Sequence, residues 1–292
     1  MSELHGICVP ICTPFAMDGS AIDDAALRNH IDSMIEAGVD IIAVCGGTGE
    51  FPFLAEAEKR HIAEVAGKHI DGRCRFIVQT SAIRTEDAIE ASKHAESTGA
   101  DALLVLPPYF EGPNEDGVVW HYAQISGAIS IPIMAYNIPQ FSDFDITPDI
   151  YGRLTREAEN VRYIKDSSAD MLRIEQLTAM GAKVFCGCDY LMLYSLMAGG
   201  AGCFWGGANA IPKQAVELYK LFQTDHLAEA HKLWRRLQPL NKLLWTIPFN
   251  PVAKEASNLS GRPVGECRRP VLPLSATEKA AVKEAMASVL NG

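Results

Sequence analysis

Short apolar runs recur along this chain, each followed by a longer stretch whose apolar positions fall at helical spacing. Residues 7–12, 40–45, 75–79, 101–106, 131–136, 161–165, 183–187 and 202–205 read as strands. Residues 23–37, 55–69, 85–97, 117–128, 147–154, 170–180, 190–197 and 213–223 read as the helices between and after them, with Pro148 placed where a first helical turn tolerates it. The strands are continuously apolar rather than alternating, as expected of parallel strands covered on both faces. Eight such units, with no GxGxxG after the first strand, predict a closed (β/α)8 TIM barrel over 1–223 rather than an open dinucleotide-binding sheet. Helical patterns at 226–244, 251–258 and 276–290 predict a C-terminal helical extension over 224–292. No linker rich in Gly, Ser or Pro marks a boundary between them.

Composition narrows the functional classes. A formal net charge of −10 without a run of Lys or Arg excludes a nucleic-acid footprint, so an acidic substrate has to be held by local dipoles. No window of about 18 uninterrupted apolar residues occurs, and residues 1–5 lack a basic start and a long apolar run, so a cytoplasmic protein without a membrane span is expected. The eight cysteines lack CxxC pairs and lie mostly in apolar stretches, which reads as reduced, buried thiols. The histidines fall mostly on helical patterns without paired spacing, so no metal site is expected. Insensitivity to chelator would separate this chain from a metal-dependent aldolase.

Working residues of such a barrel belong at the C-terminal ends of its strands. Lys165 closes the sixth run and is followed by Asp166-Ser167-Ser168, whereas Lys183 begins the seventh and belongs to the opposite face. At a strand end, removal from water disfavours an ammonium's charged form, and a neutral amine can attack a ketone. Taken alone, a strand-end lysine equally suits an amine that reaches water. The remaining lysines read as solvated helix charges. Tyr136 ends the fifth run, where its phenol could shuttle protons or merely pack. Gly46-Gly47-Thr48-Gly49-Glu50 follows the second run and suits an anion cradle, a phosphate loop without its lysine, or a simple tight turn.

Taken together, Gly46-Gly47-Thr48-Gly49-Glu50, Tyr136-Asn137-Ile138-Pro139 and Ile164-Lys165-Asp166 resemble the dihydrodipicolinate synthase and N-acetylneuraminate lyase family of class I, pyruvate-handling barrels, over essentially the whole chain. The resemblance implies that Lys165 forms a Schiff base with a 2-keto carbon and that Tyr136 relays protons. It further implies that Thr48 and the amide of Gly47 hold the α-carboxylate, and that Gly187 and Phe204 shape the pocket. No cofactor beyond the covalent imine on Lys165 is implied. Family members are commonly homotetramers built as dimers of dimers, with residues 107–110 near the tight-dimer contact.

Three positions depart from the synthase pattern. Gly47 replaces a hydroxyl residue, Phe110 replaces a relay tyrosine, and Phe141 stands where an arginine binds the aldehyde substrate's carboxylate. A ring cannot replace a bidentate guanidinium. Sialic acid lyases share the serine that follows, here Ser142, but carry an acidic residue where this chain has Tyr190. Ser167, Ser168, Asp189 and Asn209 remain as polar contacts for a shorter substrate, each equally suited to a cap or turn. The reading placed first is therefore a Schiff-base lyase cleaving a small 2-keto acid, such as a 2-keto-3-deoxy sugar acid or a hydroxylated relative, to pyruvate and an aldehyde. Dehydration or deamination through the same enamine is the alternative, followed by dihydrodipicolinate synthesis. A catalytically silent binding barrel is the competing non-enzymatic reading.

Overall fold

The structure is a computed structural model and describes residues 3–290. The strands run in chain order around a closed, parallel eight-stranded barrel, β1 to β8. In sequence the elements are β1 (Gly6–Pro10), α1 (Asp24–Glu36), β2 (Ile41–Val44), α2 (Glu56–Ile70), β3 (Arg75–Gln79), α3 (Thr85–Ser97), β4 (Ala102–Val105), α4 (Glu115–Ser126), β5 (Ile133–Asn137), α5 (Pro139–Ser142), α6 (Pro148–Glu157), β6 (Val161–Asp166), α7 (Met171–Ala179), β7 (Lys183–Cys186), α8 (Met192–Met197), β8 (Gly202–Phe204), α9 (Pro212–Gln223), α10 (Leu227–Thr246), α11 (Phe249–Leu259) and α12 (Ala276–Leu290). The predicted (β/α)8 barrel followed by C-terminal helices is thus the observed fold. Residues 291 and 292, the end of the predicted extension, lie outside the described residues, as do residues 1 and 2 of the segment read for a signal sequence.

Local chemistry explains where helices begin. The Asp23 carboxylate accepts from the amides of Ala25 and Ala26, and the Asn114 side chain accepts from Gly117 N. This cap starts α4 two residues before the apolar pattern does. Thr147 caps α6, with Pro148 in its first turn. The four-residue α5 was not predicted, because a single turn carries no periodicity.

By its contacts the chain divides into two compact units, one containing Arg75–Phe204 and the other containing His5–Cys74 with the stretch from Trp205 onward. In the first, β5 pairs with β6 so that Tyr136 lies beside Lys165 and Asn137 beside Asp166, and Lys165 in turn pairs with Phe185 on β7. Residues two apart share a face, so Tyr163 and Lys165 point the same way. The Phe185 ring meets those of Tyr163 and Phe204 edge-on, with centroids 6.3 and 6.2 Å apart. In the second unit, β1 pairs with β2 through Cys8 and Ile41, Val9 and Ile42, and Pro10 and Ala43. Trp205 and Trp234 stack edge-on at 6.0 Å, and the Trp205 indole N–H donates to Asn241 Oδ1. Among the described residues no helix is long and apolar enough to cross a membrane.

Candidate active site

Lys165 is 6 % exposed at the end of β6. Its Nζ lies 3.9 Å from the centroid of the Tyr136 ring and 4.5 Å from that of Phe204. Among the described residues no carboxylate forms an ion pair with it, so two aromatic faces hold the amine and no salt bridge engages it. Tyr136 is 7 % exposed and hydrogen-bonds through its side chain to none of the described residues.

Gly187 follows β7 against this lysine. A β-carbon there would lie 2.9 Å from Lys165 Cε and 2.0 Å from Ser167 Oγ, so only glycine fits. Ser167 Oγ is buried and has no hydrogen-bond partner. It is a buried polar atom beside the amine with bonding capacity to spare. Lys165, Tyr136, Ser167, Gly187 and Phe204 are therefore brought together within one unit.

A polar network behind the strand ends fixes their geometry. Asn137 Nδ2 donates to Asp166 Oδ1 at 2.8 Å and to Asp145 Oδ1 at 3.2 Å, while its Oδ1 accepts from Ile146 N at 2.9 Å. Asp145 also pairs with Arg173 through both guanidinium nitrogens. Ser168 donates to Asp166 Oδ2 at 2.6 Å, and Gln140 Nε2 to the Ser167 carbonyl at 3.0 Å. Burial pushes the Asp166 carboxyl above the ordinary carboxylate range, opposed by the hydrogen bonds of Ser168 and Asn137. The sequence places Asn137 in the Tyr136-Asn137-Ile138-Pro139 motif without indicating this structural role. The structure shows it as a fully buried amide at the end of β5.

The other residues named from sequence are placed as follows. Asp189 is buried on a 3₁₀ turn, Asp189–Leu191. Phe110 is 77 % exposed with φ +58°, and Phe141 is 81 % exposed on α5. In the second unit, Thr48 is buried and Gly47 is exposed, with open space where a β-carbon would go. Gly49 is the tight position of that loop: its β-carbon would meet Ile11 O at 3.2 Å. Asn209 has its whole amide engaged. Its Oδ1 accepts from Cys12 N at 3.0 Å and faces His30 Nε2 at 2.7 Å, and its Nδ2 donates to the carbonyls of Pro10 and Gly206 at 3.0 and 2.8 Å. That leaves no N–H for a substrate.

One expectation is corrected. Lys254, read as a solvated helix charge, is 1 % exposed on α11 and forms an ion pair with Glu50, itself 0 % exposed, at 2.7 Å. Pro251, Val252, Ala253, Ala256 and Ser257 are buried as well, so this helix is covered on more than one side. The local sequence carries no signal of this, because Glu255 follows the lysine and its one-turn neighbours Asn250, Ser257 and Asn258 are polar.

Six cysteines are buried, and Cys74 and Cys267 are partly so, with no disulfide among the described residues. A hydrogen bond with the Cys186 thiol, together with burial, pushes the Cys188 thiol far up, and burial pushes up Cys203. Among the described residues no three His, Cys, Asp or Glu converge as a metal site. A cleft of about 280 Å³ lined by Glu3, Arg162, Tyr163 and Lys183 opens at the N-terminal ends of β6 and β7, away from Lys165.

Comparison with known proteins gives a consistent answer. The chain is 34 % identical over 286 residues to 4-hydroxy-tetrahydrodipicolinate synthase of Brucella abortus, covering 97 % of each. It superposes with TM-score 0.94 and 30 % identity, over 99 % of both chains, on YagE of E. coli K12, a dihydrodipicolinic acid synthase family protein solved in complex with pyruvate. The 4-hydroxy-tetrahydrodipicolinate synthase of Methylacidiphilum fumariolicum gives TM-score 0.94 at 28 % identity, covering 99 % of this chain and 97 % of that one. The dihydrodipicolinate synthetase family model matches residues 3–289, so the chain belongs to that family of lyases, which work through a Schiff-base lysine.

Proposed function

We propose that this chain captures pyruvate, or a 2-keto acid that contains it, as an imine on Lys165. The observation that carries this is the Lys165 amine at a strand end, buried between the Tyr136 and Phe204 rings with no ion pair among the described residues. The amine adds to C2, and the carbinolamine loses water with Tyr136 as proton donor and acceptor. The imine draws electrons from C3, so loss of a proton or of an aldehyde at C3 leaves an enamine; attack of that enamine on an aldehyde is the reverse. In this reading Thr48 and the amide of Gly47 bind the α-carboxylate, and Ser167 offers the substrate a hydrogen bond from beside Lys165.

For the net reaction, the names of the relatives favour condensation of pyruvate with aspartate semialdehyde, as in 4-hydroxy-tetrahydrodipicolinate synthase. They do not support the 2-keto-3-deoxy sugar acid lyase placed first by sequence. That cleavage is kept as the second reading on one observation: the exposed Phe141 offers no charge to an aldehyde's carboxylate. Dehydration and deamination share the same enamine. We also carry the tetramer as part of the proposal, with the exposed Phe110 ring covered by a neighbouring copy in a cytoplasmic enzyme; elution as a monomer would remove that part.

Borohydride reduction in the presence of pyruvate, read by peptide mass, tests the chemistry. A pyruvate-derived mass gain on Lys165 is expected, and its absence sinks the imine. Turnover of aspartate semialdehyde with pyruvate, set against pyruvate release from 2-keto-3-deoxy acids, decides the net reaction.

A further inference from the structure

The loop from Gly46 to Glu50 is gripped by α11 through two side chains one helical turn apart. Asn250 Nδ2 donates to the Gly47 carbonyl at 3.0 Å, and Lys254 Nζ meets Glu50 Oε1 at 2.7 Å. Residues i and i+4 lie on one helix face, so a single element sets both ends of the loop. Lys254 also donates to the carbonyls of Thr13 and Glu266 at 2.7 and 2.9 Å. Thr13 Oγ1 in turn donates to the Gly49 carbonyl at 2.8 Å, and Arg268 N to Glu50 Oε2 at 2.9 Å. Gly47, Gly49 and Glu50 are thus each fixed from outside the loop. Between them stands Thr48, buried, with no hydrogen-bond partner for its hydroxyl among the described residues.

Burying a charge pair is expensive, and an apolar pair of similar volume holds a helix at least as well. The pair does something an apolar pair cannot: it fixes the carboxylate of Glu50, whose backbone sits at φ +61°, and so fixes the turn that closes the loop. Glu50 N donates to Gly47 O and Phe51 N to Gly46 O, which transmits that position back along the loop to the Gly47 amide and Thr48.

We infer that Asn250 and Lys254 are positioning residues for carboxylate binding, acting through the loop and not through contact with substrate. The inference rests on the proposed pyruvate chemistry. It makes α11, the second of the three helices that follow α9, a determinant of substrate affinity in addition to a packing element.

The test compares Asn250→Ala, Lys254→Met and the pair Glu50→Gln/Lys254→Met with the wild-type chain, using borohydride trapping across a pyruvate titration and steady-state turnover. The half-saturating pyruvate concentration is expected to rise about tenfold in Asn250→Ala and further in the lysine variants. Trapping at saturating pyruvate is expected to persist and kcat to fall less than KM rises. Asn250 is surface-accessible, so its alanine variant folds and decides the matter if Lys254→Met does not. Folded variants with wild-type half-saturation, or with a loss confined to kcat, overturn the inference while leaving the imine intact. Absence of trapping in the wild-type chain overturns both.

Discussion

Lys165 fills the space that a side chain on Gly187 would need, its Cε standing 2.9 Å from where the β-carbon would be. The same β-carbon would overlap Ser167 Oγ. Gly187→Ala is therefore expected to displace the lysine and serine together while leaving the strand ends paired. A shift of about 1 Å in a reacting group lowers rate by roughly a hundredfold, so kcat/KM is expected to fall by about that factor. Unchanged kinetics in a folded Gly187→Ala protein would show that the amine does not work from this position.

Ser167→Ala separates stability from binding. Its hydroxyl is buried without a partner, and removing an unsatisfied group is nearly neutral or stabilising, within about 1 kcal/mol. If the hydroxyl meets substrate, KM for pyruvate rises by about tenfold, equivalent to roughly 1.4 kcal/mol. Urea unfolding and a pyruvate titration on the same sample check both halves. A loss of stability with unchanged KM contradicts the assignment.

Acid lability is expected from two buried histidines. Burial lowers both His30 and His121 from the ordinary 6.5 to about 4. The folded state thus binds their protons less tightly than the unfolded chain. Stability is full above pH 6.5, falls as the pH drops toward 4, and levels off below that. Each group accounts for on the order of 3 kcal/mol across the window. Denaturant midpoints between pH 7.5 and 4.5 test this, and a flat profile contradicts it.

Phe141→Arg addresses the aldehyde. The ring is 81 % exposed on a one-turn helix, so the substitution is expected to change stability by no more than about 0.5 kcal/mol. A guanidinium there supplies the charge that the synthase pattern carries, and KM for aspartate semialdehyde is expected to fall by about tenfold. A rise in KM for the semialdehyde would remove Phe141 from the aldehyde site.

The barrel was legible because short apolar runs alternate with helical periods, and because Tyr136 and Lys165 both stand at the ends of such runs. The pairing of Tyr136 with Lys165 follows from that order. What stayed hidden was set by contacts distant along the chain. Lys254 looks like a surface charge until the Thr13 carbonyl, 241 residues away, is seen to accept from it. Asn209 resembles a free polar contact until Cys12, Pro10 and Gly206 take its amide. Neither fact is written in local periodicity, because burial of a polar side chain depends on partners that only folding supplies.

The thiols beside Gly187 carry a consequence for chemical tools. Cys186 and Cys188 flank the glycine and Cys203 pairs with Cys186 across β7 and β8, yet all three are buried, and Cys188 and Cys203 are held well toward the protonated form. Alkylating reagents have to reach a sulfur, and these three are shut away from solvent, whereas the proposed chemistry offers a ketone the Lys165 amine. Covalent ligands for Lys165 are thus best built around an electrophilic carbonyl, and a ketone-bearing label is expected to mark it, after borohydride reduction, in a sample already treated with maleimide.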